Sequence, residues 1–315
     1  MTLVTEFRGK TIINYSTFKA SNYILAISVI TLVILLILSA CSLENDTQND
    51  NSNDSNHENE IVKIVYVEWA SEVASAHVVK TVIEDRLGYQ TELLPVSTIA
   101  MWEAVASGDQ DAMVAAWMPS LHKAYYEEHK ENVENLGPNL DGAVMGLAVP
   151  DYLPIESIEE LNQYTEELNK KIIGIDPGAG VMTKTNQVID EYRLDDFVLV
   201  SGSDSTMTQT LKNAIEEKRW IVVTGWNPHW KFARWDLKYL KDTKGIYGEK
   251  EHISTIVRKG LEQDKPEVYR FLDQFYWSAN DMEKVMLWTE KDNNPEAAAE
   301  QWVKENKDIV DSWLN

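Results

Sequence analysis

Two short stretches of the chain repeat one pattern: "VAAWMPSLH" at 114–122 and "VVTGWNPHW" at 222–230. Each is an apolar, strand-like run that ends in Trp, one further residue and Pro. Trp69, in "KIVYVEWASEVAS" from Lys63, also stands where a strand pattern runs out. Indole rings present negative faces, and several around one point make a box for a cation that cannot donate hydrogen bonds, typically a quaternary ammonium. Each face contributes about 0.5–2 kcal/mol. A lysine or guanidinium group would normally be offered carboxylates as well. Trp69, Trp117 and Trp226 are therefore candidate cage residues. The competing reading is that tryptophans fill cores. It is kept for Trp102, Trp220, Trp235, Trp277, Trp288, Trp302 and Trp313, which fall inside helical or strand patterns.

The stretch "DPGAGVM" at 176–182 asks for an anion. Gly178 and Gly180 let the backbone come close, and a helix starting near Val181 points free N–H groups and its positive end at whatever sits above. A carboxylate fits. His122, just past Trp117, could add a side-chain donor; a surface helix histidine is the alternative. His77 and His229 receive no ligand role. Gly178 and Gly180 also begin a G-x-G-x-x-G pattern, but Thr183 stands where the third glycine of a dinucleotide fingerprint should be.

These residues need elements to hold them. In the first half, a strand at about 62–68 leads to a helical pattern from Val73 to Leu87. "QTELLPV", a helix from Ile99 to Ser107, the strand "DAMVAAW" and a helical stretch from Leu121 to Leu136 follow. The second half repeats the alternation: strand 172–176, helix 181–193, "FVLV", helix 206–218, "WIVVTGW". The strand starting at Lys63 has its counterpart at Lys171, 108 residues on, and Trp117 and Trp226 are 109 apart, so the halves read as one plan used twice. Strands alternating with helices argue for parallel, doubly wound α/β lobes. "VMGLAVP" and "HISTIVR" bracket the second half as two crossings, and the helical sequence after Pro266 returns to the first lobe. Two α/β lobes with two hinge crossings form a clamshell, with ligands expected beyond the carboxyl ends of the strands. The expected division is 61–148 plus 256–315 for one lobe and 149–255 for the other.

The 315 residues suffice for two such lobes, and 44% hydrophobic with 25% charged residues is ordinary globular composition. The formal charge of −22 becomes −24 without residues 1–40, a balance that repels phosphate backbones and argues against a nucleic-acid partner. Arg8, Lys10 and Lys19 precede an apolar run from Tyr23 to Leu38 that ends in "LSAC". This has the form of a secretory signal over 1–40, with an uncleaved membrane anchor as the other reading. The polar stretch to residue 60 has too few apolar side chains to order itself and reads as a tether over 41–60. Cys41 is the only cysteine, so neither a disulfide framework nor a cysteine-based zinc site is available. No cofactor or metal is expected.

"GIDPGAGVM", "VVTGWNPHW" and "DLKYLKDTKGIYGE" together resemble the glycine betaine-binding proteins of bacterial ABC osmoprotectant importers, over about Ile61 to Lys265. That resemblance implies a type II periplasmic-binding-protein-like fold and a binding protein rather than an enzyme. Trp69, Trp117 and Trp226 would surround a trimethylammonium group, with the Gly180 and Val181 amides and His122 on the carboxylate. "LSAC" resembles a lipobox, which makes Cys41 the lipid-bearing first residue on the outer face of the membrane, and the partners become a betaine and the permease subunits. Carnitine, choline or another betaine is the alternative ligand. A cell-surface hydrolase is more remote: only Asp176 and Glu68 stand near strand ends as candidate acids, and there is no H-E-x-x-H, G-x-S-x-G or complete P-loop.

Overall fold

Apolar runs of three to eight residues, too short for helices, form most of the sheet. The computed structural model describes His57 and residues 60–315. Cys41, the signal segment 1–40 and most of the tether lie outside the described residues. In the first sheet, β1 (Ile61–Tyr66) is flanked in parallel by β2 (Gln90–Pro95) and β3 (Ala112–Met118). The long β4 (Val133–Pro150) then leads to a second sheet, in which β5 (Lys171–Ile173) is flanked in parallel by β6 (Val198–Val200) and β7 (Val223–Asn227). A short β8 (Leu237–Tyr239) pairs with the end of β4, and β9 (Glu251–Arg258) lies antiparallel between β3 and β4.

The strand order β2-β1-β3-β9-β4-β7-β5-β6 contains one motif twice. Three parallel strands in the order second, first, third are followed by an antiparallel one, β9 in the first sheet and β4 in the second. The offset between the halves is thus an offset between matching strands. β4 is shared: up to Ala143 it pairs with β9, and from Val144 it pairs with β7.

Helices cross between the parallel strands. In the first half these are α1 (Ala70–Val82), extended by a π-turn to Leu87, and α2 (Thr98–Ser107), after which comes the short α3 (Lys123–His129). The second half uses α4 (Gly180–Glu191), α5 (Asp204–Glu216) and the single-turn α6 (Trp230–Arg234). Ser97 caps α2, and Ser203 with Thr206 closes a capping box on α5, giving orphan N–H groups their acceptors. Gly88 and Gly108 end the first two helical runs at φ 75° and 82°, a left-handed turn that only glycine enters without strain.

The helical expectation for 121–136 fails after His129. Gly137 and Gly142 sit at φ 103° and 79° around Pro138, and those residues take the chain through three register shifts of β4 instead of a helix. The parallel expectation holds within each triplet of strands but not for β4 and β9.

After β9, α7 (Leu261–Asp264), α8 (Pro266–Gln274), α9 (Ala279–Asp292), α10 (Pro295–Glu305) and α11 (Lys307–Trp313) complete the chain. α9 and α10 pack on α1, so the tail does return to the first half. Trp277, Trp302 and Trp313 are buried there, with the rings of Trp302 and Trp313 stacked at 5.8 Å and Phe275 edge-on to Trp313 at 5.0 Å. Trp102 is also fully buried, whereas Trp220, Trp235 and Trp288 are half-buried.

At the foot of the first sheet, buried Asp111 accepts from the Lys63 amide (2.9 Å), Arg258 Nε (2.8 Å) and Lys265 Nζ (2.9 Å), tying β1, β3, β9 and α7 together. Burial pushes its carboxyl up, but Lys265, the Lys63 amide and Arg258 outweigh that and hold it below its ordinary value. Asp111→Ala leaves two cations without their shared anion. It is expected to cost about 3 kcal/mol in urea unfolding, and a loss below about 1 kcal/mol would contradict this account.

Candidate functional site

Trp69, Trp117, His122, Gly180, Val181 and Trp226 line one cavity, joined by Leu121, Met145, Ile175 and Ala179. All six residues that the sequence singled out for a ligand are therefore brought together. They arrive from four strand ends. Trp69 follows β1, and Trp117 lies near the end of β3 with Leu121 and His122 in the next turn. Gly180 and Val181 open α4 after β5, and Trp226 is the penultimate residue of β7. The first two groups belong to the first sheet and the last two to the second.

Pro119 and Pro228 stop the two motif strands, since proline has no N–H to continue a ladder; both prolyl bonds are cis. All three candidate cage tryptophans are at least 95% buried in this arrangement. Among the described residues no carboxylate lines the cavity. Asp176 is taken up by the indole of Trp69, whose Nε1–H donates to Oδ2 at 2.6 Å across the cleft, and Glu68 is exposed. Such a space suits a cation with no proton to donate and offers little to an ammonium that must be hydrogen-bonded.

Beside the rings the cavity is also lined by donors. Ala179, the N-cap of α4, makes no side-chain bond to the helix, and among the described residues neither the Gly180 nor the Val181 amide has an acceptor. His122 is buried, and burial lowers its pKa to about 3, so the ring is neutral. Its Nδ1 accepts from the Trp117 amide at 3.3 Å, which places the single proton on Nε2. Among the described residues Nε2 has no partner. Three unsatisfied donors beside an aromatic box make a site for a small molecule with a cationic head and an anionic tail.

The turn carrying Leu121 and His122 is held by buried Glu251, which accepts from the amides of Ser120 (3.0 Å) and Leu121 (3.4 Å) and from the Ser120 hydroxyl. The two sheets close on each other at Gly180. A Cβ built there would lie 2.7 Å from Leu121 Cβ and 3.1 Å from the Leu121 carbonyl oxygen. The glycine is thus required by close approach across the cleft. Tyr125 bridges the same gap, donating from its hydroxyl to the Gly178 carbonyl at 3.1 Å.

Behind Trp226 lies a charged cluster that the sequence did not announce. His229 stands edge-on to the indole at 4.7 Å, and Lys231 Nζ sits 3.8 Å from the ring centroid, fully buried and without a hydrogen-bond acceptor. Lys231 does not line the cavity, so it covers the ring face that the cavity does not use. Burial lowers its pKa to about 7, with Asp204 opposing. His229 is lowered to about 4 by burial and Lys231, again against Asp204. Its Nδ1 accepts from the Lys231 amide, leaving Nε2–H for the Asp204 carboxylate at 3.1 Å.

Leu121, Ile175 and Ala179 could have been found as neighbours of the two motifs. Met145 could not, because it reaches the cavity only by pairing opposite Trp226 in β4. Among the described residues no group of three or more His, Cys, Asp or Glu side chains is placed to hold a metal, and no helix is long and apolar enough to cross a membrane.

A model of the family described as the substrate binding domain of ABC-type glycine betaine transport system matches residues 60–305. The chain is 51% identical over 152 residues to the glycine betaine/carnitine transport binding protein of Listeria monocytogenes, covering 48% of this chain and 51% of that protein. The alignment thus spans about half the length of that curated relative. Lactococcal OpuAC, in its closed-liganded conformation complexed with glycine betaine, superposes with a TM-score of 0.77 at 43% identity, covering 82% of this chain and all of that one. The glycine/betaine/L-proline-binding protein of an ABC transporter from Borrelia burgdorferi gives 0.78 at 39% identity, covering 81% and 97%. The fold is accordingly the two-part α/β fold of periplasmic binding proteins.

Two outcomes are expected. Gly180→Ala should weaken glycine betaine binding about tenfold or more, because the added methyl forces the sheets apart. Gly178→Ala, whose Cβ would meet nothing nearer than 3.7 Å, should change it little, and calorimetric titration of both checks the contrast. The second outcome concerns pH. His122 and His229 stay neutral in the folded chain down to about 3 and about 4, whereas unfolded imidazoles take protons near 6.5. Between those values the unfolded state binds more protons, so stability falls as the pH drops from 6.5 towards 4. Denaturant midpoints at pH 7 and 5 should show the loss, and His122→Gln should show less of it.

Proposed function

The chain belongs to the family of substrate-binding domains of ABC-type glycine betaine transport systems, a family of binding proteins and not of enzymes, and from that premise we propose that it captures glycine betaine or a related quaternary-ammonium solute outside the cytoplasm and delivers it to an ABC permease. In this reading Trp69, Trp117 and Trp226 surround the trimethylammonium group. The amides of Gly180 and Val181 and the Nε2–H of His122 hold the carboxylate. The observation that supports it is the lining of the cavity, which combines three indoles with free N–H donors and, among the described residues, no carboxylate.

Residues 61–148 with 256–315 and residues 149–255 are proposed as the two lobes that close on the ligand; the strand pairings change sheet at Val144 and Glu251, a few residues ahead of each bound. Because the cage draws on both sheets, a ligand touches all its partners only when they meet, and binding and closure are one equilibrium. We further propose that Cys41 carries a lipid that holds the protein on the outer face of the cell membrane, with the stretch to residue 60 as tether; "LSAC" after an apolar run supports this. The name of the Listeria relative includes carnitine, which keeps carnitine as the second ligand to titrate.

The test is calorimetry on the mature protein with a ligand series. Glycine betaine should bind, and its neutral tert-butyl isostere should bind at least about tenfold more weakly because it lacks the charge. Choline, which leaves the Gly180, Val181 and His122 donors without a partner, should also bind poorly. Trp226→Ala should cost on the order of 2 kcal/mol, roughly thirtyfold in Kd, while Trp313→Ala leaves the affinity alone in whatever fraction folds. Parent-like affinity in Trp226→Ala would sink the assignment of the cage.

A further inference from the structure

Trp69 is also the N-cap residue of α1, and it gives that helix no cap: its side chain makes no bond to the first turn. The acidic residue of that turn does not serve either, because Glu72 is buried and its Oε2 turns back to accept from the Val67 amide at 2.7 Å. The Ala70 amide, first of the helix, is taken instead by Asp204 Oδ2 at 2.9 Å. Asp204 opens α5 on the second sheet, 134 residues further along the chain. It is 4% exposed, and the His229 Nε2–H lies 3.1 Å and 3.2 Å from its two oxygens. Next to this contact, Asp176, also from the second-sheet side, accepts from the ring of Trp69. One residue of the proposed cage is thus gripped twice across the cleft, its ring by Asp176 and the following amide by Asp204.

We propose that Asp204 is a positioning residue of the ligand site: it caps α1 from the opposite side of the cleft, fixes the orientation of Trp69, and ties retention of the ligand to closure. The inference rests on the reading of the cavity as a betaine site. A carboxylate suits the place, since it meets both a free N–H and the positive end of a thirteen-residue helix. Asp204 is supported from its own side by His229 and by the charge of Lys231, so it is already in place before the sheets meet. Separation of the sheets leaves the Ala70 amide without that acceptor, and the cost of opening falls on the turn that carries Trp69. A residue with only a structural role inside the second sheet would hold His229 and Lys231 and be indifferent to Ala70.

Ala70→Pro separates these two roles. It removes the N–H, and its Cδ takes the hydrogen's place, so the contact with Asp204 is broken from the Ala70 side while Asp204, His229 and Lys231 keep their own side chains and their contacts with one another. Proline is favoured at the first helical position, and Trp69, at φ −93° and ψ 141°, already has the extended backbone that a residue before proline adopts. Association and dissociation of glycine betaine would be followed by stopped-flow tryptophan fluorescence, closure by small-angle scattering and helix content by circular dichroism, for the parent, Ala70→Pro, Asp204→Ala and the double variant. Ala70→Pro is expected to speed dissociation about tenfold with association within about twofold and helix content unchanged. In the double variant the two changes should not add, as required for partners in one contact. Parent-like dissociation in Ala70→Pro, or additive losses in the double variant, overturns the proposal while leaving the betaine site standing. A parent that does not bind glycine betaine overturns the site reading and this inference together. Should Asp204→Ala fail to fold, Ala70→Pro alone decides, since it replaces no residue of the buried cluster and breaks only the contact that forms when the sheets meet.

Discussion

Everything across the cavity is measured from β4, because that one strand is hydrogen-bonded into both sheets. Its first part runs along β9 and its second along β7, with the change at Ala143 and Val144. The carboxyl ends of β1 and β3 therefore face those of β5 and β7, and side chains more than a hundred residues apart come within contact of each other. The register shifts near Gly137, Pro138 and Gly142 let so long a strand bend between two twisted sheets. A straight strand would serve only one of them.

Within that frame, charge is kept out of the cavity wall and placed just behind it. Asp176 and Asp204 lie close to the tryptophans, yet each is already engaged, by the Trp69 indole and by the Ala70 amide with His229. The wall itself is aromatic and aliphatic apart from His122, which burial keeps neutral. A ligand entering this space meets ring faces and fixed N–H dipoles, whose arrangement is paid for during folding, and no counter-ion that would have to be desolvated. The polarity of the site is a matter of orientation more than of net charge.

The sequence made much of this legible because the chemistry was concentrated in contiguous motifs. Trp117 with His122, "DPGAGVM", and Trp226 each occupy one strand end, and the offset between the halves pointed to a repeated plan that the strand order contains. What it did not reveal depends on contacts between distant segments. Met145 enters the cavity by cross-strand pairing, and Asp204 matters through an amide on the other sheet. The run 121–136 has helical spacing, but its end from Val133 is taken by pairing with β9, a partner that lies more than a hundred residues away and that local spacing does not register. His229 receives no role from the sequence, because its place between Trp226 and Asp204 depends on contacts that only the fold makes.

The two motif histidines end up in the same electronic state by the same means. His122 accepts at Nδ1 from the amide of Trp117, and His229 accepts at Nδ1 from the amide of Lys231, so both expose Nε2–H as neutral donors. For His229 the acceptor is a carboxylate of its own chain, permanently present in the sheet it belongs to. For His122 no described residue supplies the corresponding acceptor. The repeated half-chain thus carries its own reference compound: the Asp204–His229 pair shows, in covalently supplied form, the carboxylate–imidazole contact that the proposed site would make at His122.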